Sequence, residues 1–314
     1  MLNNLRVDKP IVVWFFTDDK PGHLNQLKGL ESRLSVHVKI EARWFSISNK
    51  KISWFDTLLK RFSYDGEQAP DLVVGAGRRT HKYLVAAKRS YDCFSLVLMR
   101  PSLPLTLFDA AVIPEHDSPA VKNNILVTVG VLNNIVPRDL NAQSNASKKR
   151  GLILIGGESK HYIWDDEFIL QQLESIVASS NNVEEWILGN SRRTPDSFLA
   201  LLKEKNFSKL NVVEHQNTDS SWLPKQMANS ERIWVTPDSV SMVYEAITSG
   251  GVTSIFELKP KKETRVVKGV NHLLKTKMLS KWPDIETVRQ PSALWEAERV
   301  AVWLLQRLFM NGGK

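Results

Sequence analysis

The sequence predicts an α/β protein built as two doubly wound domains with mainly parallel sheets, and three observations carry that expectation. At 314 residues the chain exceeds the length at which one hydrophobic core usually stops growing. Short apolar runs alternate with helical patterns through both halves, the order that parallel strands joined by helical crossovers produce. A polar stretch without sustained period, NNIVPRDLNAQSNASKKR from Asn133, separates the two series. The expected domains are residues 1–140 and 150–292, with a linker at 141–149 and a closing helical segment at 293–314.

Taken in order, IVVWFFT (11–17) reads as a buried strand, and PGHLNQLKGLESRL then sets Leu24, Leu27, Leu30 and Leu34 at helical spacing. VHVKIEARWF, DLVVGAG, FSLVLM, DAAVIP and ILVTVG read as further strands, with helices at ISWFDTLLKRF and THKYLVAAKRS. The second series runs GLILIGG, WDDEFILQQLESIVAS, VEEWILG, PDSFLALLKEK, LNVVEH, SSWLPKQMANS, ERIWVTPDS, VSMVYEAITSG and VTSIFEL, a clearer strand and helix alternation than the first. Near the end, LWEAERVAVWLLQRLF puts Leu294, Ala297, Ala301, Leu304 and Leu308 on one helical face, expected to pack across the domain junction.

Composition excludes several classes. Hydrophobic residues at 42% and charged residues at 24% describe a soluble globular chain and no disordered or collagenous one. The single cysteine, Cys93, has no internal disulfide partner and belongs to no CxxC or Cys/His cluster, which fits a reducing cytoplasm and excludes zinc-type ligation. The first apolar run is short and closed by Asp18 and Asp19, so it does not read as a signal peptide, and no stretch approaches the ~20 apolar residues of a membrane span. A net charge of +8 favours anionic partners such as nucleotides, phosphorylated glycans or lipid headgroups. Nucleic acid is disfavoured, because no zinc-finger, RNA-recognition or long basic-helix signature accompanies the charge.

Three loops of the second half point to an anion. In RIWVTPDSVSMVYEA a strand ends at Val235, Pro237 breaks it, and Asp238 or Ser239 is placed to cap a helix whose first N–H groups face the loop. Ser241 lies in its first turn, and Glu245, nearly two turns in, suits the two hydroxyls of a ribose. An ordinary capped helix with a surface glutamate would read the same way. Gly156 and Gly157 follow a buried strand and allow close backbone approach, with Ser159, Lys160 and His161 beside them. They fit neither GxGxxG nor GxxxxGK[ST], which argues against NAD and P-loop nucleotide chemistry. Ser191, Arg192, Arg193 and Thr194 follow another strand, and paired arginines suit a diphosphate, though a solvated basic helix start is equally consistent. All three loops are expected on one sheet edge, where open α/β sheets bind ligands.

In the first half, TDDKPGHLNQ and GAGRRTHKY follow strands and are expected to face the same crevice from the other side. His23 is a candidate general base, with Asp18 or Asp19 to orient it or to act instead. Lys20, Gly22, Gly75, Gly77, Arg78, Arg79 and His81 are candidates for holding an anionic acceptor, though a glycine turn with surface arginines looks identical. Between Trp44 and Arg61, aromatic residues interleave with lysines in a manner suited to a membrane surface. Phe55, Leu58, Leu59 and Phe62, however, read as a core-facing helical stripe.

DDKPGHLNQ, GAGRRT, GGESKHYIWDDE, SRRTP and TPDSVSMVYEA, in order from residue 18 to 246, resemble the bacterial branch of the mitochondrial-fission ELM1-like family, whose members are assigned as GT-B glycosyltransferases. The family's first motif usually reads Asp-Gly-Lys-Pro-Gly-His, and Asp19 replaces its glycine. More distantly the layout is similar to MurG-type transferases. The resemblance implies two Rossmann-like domains facing a central cleft. It places a nucleotide-diphosphate sugar, a UDP-sugar by preference, against Ser239 and Ser241, with its ribose on Glu245. It implies a glycan or lipid-linked acceptor near His23 and a role in surface polysaccharide or lipopolysaccharide synthesis. Inversion is expected, and no metal or cofactor, the latter because no DxD triplet occurs and the basic loops suit the diphosphate instead. A nucleotide-sugar epimerase and a non-catalytic interaction protein are the competing expectations. The expected location is the cytoplasm, with peripheral contact at the inner membrane.

Overall fold

The computed structural model describes residues 9–64, 66–138, 149–179, 182–205, 207–284 and 294–311. Its contacts divide the chain into two compact units, one running to Asn134 and resuming at Glu296, the other Ile135–Trp295. The residues expected as a linker, 141–149, therefore lie after the division, within the second unit, and 141–148 lie outside the described residues.

The first unit holds strands β1 (Ile11–Thr17), β2 (Ile40–Ser46), β3 (Leu72–Ala76), β4 (Phe94–Leu98), β5 (Ala110–Pro114) and β6 (Ile125–Thr128). They form one parallel sheet in the order β2-β1-β3-β4-β5-β6. Helices α1 (Pro21–His37), α2 (Trp54–Leu58), α3 (His81–Tyr91) and, from the chain's end, α9 (Glu296–Asn311) flank it. The run of apolar residues in β1 is explained by burial on both faces. Val13 and Phe15 pack with Leu27, Leu30 and Leu34 of α1, while Val12, Trp14 and Phe16 pack with Leu84 and Ala87 of α3.

The second unit holds β7 (Arg150–Leu154), β8 (Glu185–Gly189), β9 (Leu210–Val213), β10 (Arg232–Val235), β11 (Val252–Ile255) and β12 (Ser280–Lys281). Helices α4 (Asp166–Ser179), α5 (Asp196–Glu204), α6 (Trp222–Ala228), α7 (Val240–Thr248) and α8 (Arg265–Lys275) complete it. Its sheet is also parallel, in the order β12-β11-β10-β7-β8-β9. That is the doubly wound order of dinucleotide-binding sheets, with the reversal between β7 and β10. In the first unit the reversal falls between β1 and β3. Crevices at such reversals, outside the strands' carboxyl ends, are where ligands bind.

Four sequence expectations change. The run VHVKIEARWF is not all strand: α1 continues through Val36 and His37, and Val36 is exposed. The stripe Phe55, Leu58 and Leu59 does not face the core, being 65%, 63% and 41% exposed, and only Phe62 is buried. The C-terminal helix has its buried face on α1 in the first unit, where Ala297, Val300, Ala301 and Leu304 join Leu27, Leu30 and Leu34. Arg33 and His37 of α1 hold Glu298 of α9 at 2.7 and 2.8 Å. The fourth change is an addition, α8 with β12, beyond the last strand expected from the sequence.

Candidate functional site

In the second unit the three sequence-predicted loops meet at the reversal between β7 and β10. The Thr236 hydroxyl accepts a hydrogen bond from the Gly156 N–H at 2.7 Å, and Asp238 Oδ2 accepts one from the Gly157 N–H at 3.1 Å. The Arg193 guanidinium donates to that same Oδ2 at 2.7 Å and to the Glu158 carbonyl at 2.9 Å. Ser191 Oγ donates to the Gly156 carbonyl at 2.8 Å, and Thr194 donates to it as well. Both glycines are sterically required. A Cβ at Gly156 would sit 2.3 Å from Asp238 Oδ2, and one at Gly157 would sit 1.9 Å from the Arg193 carbonyl oxygen.

These contacts revise several roles. Asp238 does not cap α7; its side chain is 1% exposed and ties the β7 loop to the β8 loop. Burial raises the Asp238 pKa above the ordinary carboxylate value, against the opposing hydrogen bond of Thr236 and the charge of Arg193. Its Oδ1 is buried without a hydrogen-bond partner. The first-turn N–H groups of Val240, Ser241 and Met242 have no intrahelical acceptors, as at any helix start, and Ser239, the N-cap residue of α7, makes no side-chain cap to them. Arg193 braces the Glu158 carbonyl and Asp238, while Arg192 beside it is exposed. Arg192, Arg193 and Lys160 are exposed cations, Ser239 and Ser241 are half-buried, and Glu245 is buried at 8% exposure.

The sequence reading missed a fourth loop, between β11 and α8. Pro260 bridges to Tyr162, Lys261 Nζ donates to the Ser159 carbonyl at 2.9 Å, and His161 Nδ1 lies 2.9 Å from Thr264 Oγ1. Its signal was the charge run KPKKETR from Lys259, which adds cations beside the β7 loop. Burial lowers the pKa of His161, and Lys160, Lys262 and Arg193 lower it further. Cavities of about 330 Å³, lined by Tyr162, Pro237 and Phe256, and about 500 Å³, lined by Ser191, Arg192 and His215, flank the joined loops.

In the first unit the reversal between β1 and β3 holds a dyad. His23 Nδ1 lies 2.7 Å from Asp18 Oδ1, and the Asp18 side chain is 1% exposed. Burial alone would raise the Asp18 pKa, but the hydrogen bond and charge of His23, with help from Lys20, hold it below the ordinary carboxylate value. Gly77, at φ +89°, carries the imidazole against its Cα: a Cβ there would be 2.3 Å from His23 Cε1. An Asp18 bond from Nδ1–H leaves Nε2 as the acceptor nitrogen of the ring. Asp19 is not the partner of His23; its carboxylate accepts from Ser46 and Ser48, and its φ of +60° explains why glycine suits that position. Lys20 is exposed, nothing lies within 4 Å of a Cβ built on Gly22, and Gly75 makes room for Thr80. Arg78 and Arg79 are exposed beside Gly77.

His81 is not an anion-binding cation. It is 2% exposed, bonded to Ser102 at 3.1 Å, and its pKa is lowered to about 4 by burial and the nearby Arg78. Between its ordinary value of 6.5 and about 4, the unfolded chain binds a proton that the folded site refuses. Stability from this group is therefore full above pH 6.5 and falls by about 3 kcal/mol as pH drops toward 4. Urea titrations across that window should show His81→Asn, which keeps a polar partner for Ser102, losing correspondingly less stability than the wild type.

Among the described residues no three His, Cys, Asp or Glu side chains converge as a cation site, and no helix is long and apolar enough to cross a membrane.

Two parallel-sheet units, each with polar loops gathered at the strands' carboxyl ends, place the chain in the GT-B fold class. It belongs to the mitochondrial fission ELM1 family, whose sequence model matches residues 21–308. A curated relative, the uncharacterized protein RP120 of Rickettsia prowazekii, is 24% identical over 294 residues, covering 78% of this chain and 82% of its own. Among solved structures, a Listeria monocytogenes protein assigned as a UDP-N-acetylglucosamine 2-epimerase is similar with a TM-score of 0.58 and 12% identity, covering 97% of each chain. MurG of Acinetobacter baumannii is similar with a TM-score of 0.51 and 12% identity, covering 95% of this chain and 91% of its own.

Proposed function

We propose that this protein is a glycosyltransferase that binds a nucleotide-diphosphate sugar, a UDP-sugar by preference, at the joined loops of its second unit. The observation that carries the reading is the uncapped start of α7 beside Gly156 and Gly157, held there by buried Asp238. Free N–H groups at a helix start, with close backbone approach and the exposed cations Arg192 and Lys160, suit a diphosphate. Glu245 is assigned to the ribose. UDP is preferred because a protein of this fold carries UDP-N-acetylglucosamine in its name. In the reaction, an acceptor hydroxyl on the first unit attacks the anomeric carbon, His23 Nε2 takes its proton, and the nucleotide diphosphate leaves with the bonding electrons. Inversion follows from that single displacement. Lys20, Gly22, Gly77, Arg78 and Arg79 are assigned to a glycan or lipid-linked acceptor, and the setting is surface-polysaccharide or lipopolysaccharide synthesis at the cytoplasmic side of the inner membrane.

Calorimetry with nucleoside diphosphates tests the donor site. UDP should bind, and Glu245→Ala should weaken it by roughly tenfold, the loss of about 1.4 kcal/mol; unchanged affinity would remove the ribose assignment. The absence of any nucleotide binding would instead favour an interaction protein. Activity is expected to persist in EDTA, with basic groups in place of a divalent ion, and inactivation reversed by manganese would overturn that. The epimerase reading is favoured by the Listeria structure, and NMR of the nucleotide sugar without acceptor separates the two.

A further inference from the structure

Helix α2 does the opposite of what its sequence suggests. Four large apolar side chains of one short segment, Trp54, Phe55, Leu58 and Leu59, are between 41% and 65% exposed. The exposure is built in rather than frayed. Ser53 and Asp56 close a reciprocal capping box, Phe62 anchors the segment in the core, and Arg89 donates to the Leu58 carbonyl at 3.4 Å. Upstream, the Tyr83 hydroxyl donates to the Ile47 and Lys50 carbonyls at 3.0 and 2.6 Å. Cations surround the patch: Lys51, Lys60 and Arg61 are exposed, and Lys82 Nζ lies 5.7 Å from the Trp54 ring centroid. Asp56, the acid within the helix, is engaged by Ser53.

An exposed apolar cluster rimmed by lysine and arginine is complementary to one kind of surface, apolar inside and anionic outside. We propose that α2 docks on an anionic lipid bilayer, with Trp54, Phe55, Leu58 and Leu59 entering the headgroup–acyl boundary and Lys51, Lys60, Arg61 and Lys82 against lipid phosphates. The chain links the patch to the His23 loop: Ser46, which ends β2 upstream of α2, bonds Asp19, and Lys82, beside Trp54, follows Arg78 and Arg79 by less than two turns. Delivery of a lipid-linked acceptor to His23 rests on the proposed transferase reading; the docking itself does not.

Sedimentation of the full chain with phosphatidylglycerol–phosphatidylcholine vesicles, against pure phosphatidylcholine vesicles, tests the docking. Binding is expected only to the anionic vesicles, weakening as salt is raised. Phe55→Glu with Leu58→Glu should lower it about tenfold or more, since two apolar side chains are replaced by charges that the acyl boundary rejects, while melting temperature and UDP binding stay unchanged. Failure to sediment, or equal sedimentation of the double variant, would overturn the proposal. So would a wild-type dimer that light scattering shows the double variant to lose, because a second copy would then cover the patch. UDP calorimetry on the same samples keeps this result separate from the fate of the donor site.

Discussion

His23→Ala is expected to lower transferase turnover by roughly 10²–10⁴-fold, the usual contribution of a positioned acid–base group, while leaving UDP affinity unchanged. The expectation rests on the dyad: Asp18, buried to 1% and 2.7 Å from Nδ1, fixes the ring so that Nε2 accepts, and Gly77 seats the imidazole where any Cβ would collide. Asp18→Asn should cost turnover through the tautomer and not through binding. Asp19→Gly discriminates the two aspartates. With φ at +60° the backbone accepts glycine readily, so this variant should keep its turnover, whereas a catalytic Asp19 would make it inactive. Full activity of His23→Ala in a steady-state assay would end the general-base assignment.

Much of this arrangement was legible in the sequence. Strands buried on both faces appear as unbroken apolar runs, so IVVWFFT and GLILIGG announced β1 and β7, and the loops behind them carried the glycines, serines and arginines that the fold gathers. Which side chain meets which was not legible. Asp18 and Asp19 are adjacent and chemically identical, and only the left-handed backbone at Asp19 turns one carboxylate to Ser46 and leaves the other for His23. Arg193 and Arg192 are likewise equivalent on paper, and the buried carboxylate of Asp238, 45 residues away, decides between them.

Helical periodicity also identifies a stripe without saying what covers it. At Phe55, Leu58 and Leu59 the period of an amphipathic helix is present, but that face is exposed and Thr57 is the buried residue instead. The α9 stripe has the same statistical form and is buried, because α1 offers Leu27, Leu30 and Leu34 as a partner face. The patterns differ only in their tertiary surroundings, which act over the 261 residues separating His37 from Glu298. Helix α8 was missed for a third reason: the charge run before it, KPKKETR, reads as a solvated loop, although Lys261 is tied to Ser159 of the β7 loop.

Gly157→Ala should impair the donor site more severely than loss of any single side chain proposed to touch the nucleotide. Its added methyl would stand 1.9 Å from the Arg193 carbonyl oxygen and 2.6 Å from the Thr194 nitrogen, and these are backbone atoms that no rotamer change can move aside. The β7 and β8 loops must separate. In doing so they stretch the Gly157 bond to Asp238 and the Arg193 ion pair, which share one carboxylate oxygen. Overpacking of this kind costs about 1–3 kcal/mol of stability. UDP affinity should fall by at least roughly tenfold, because the same displacement moves the loop from the start of α7. Gly22→Ala is the control. Nothing lies within 4 Å of its added carbon and Gly22 is in the first turn of α1, so its melting temperature should match or exceed the wild type. A Gly157→Ala protein that binds UDP with wild-type affinity would show that the joined loops are not the diphosphate site, whatever its melting temperature.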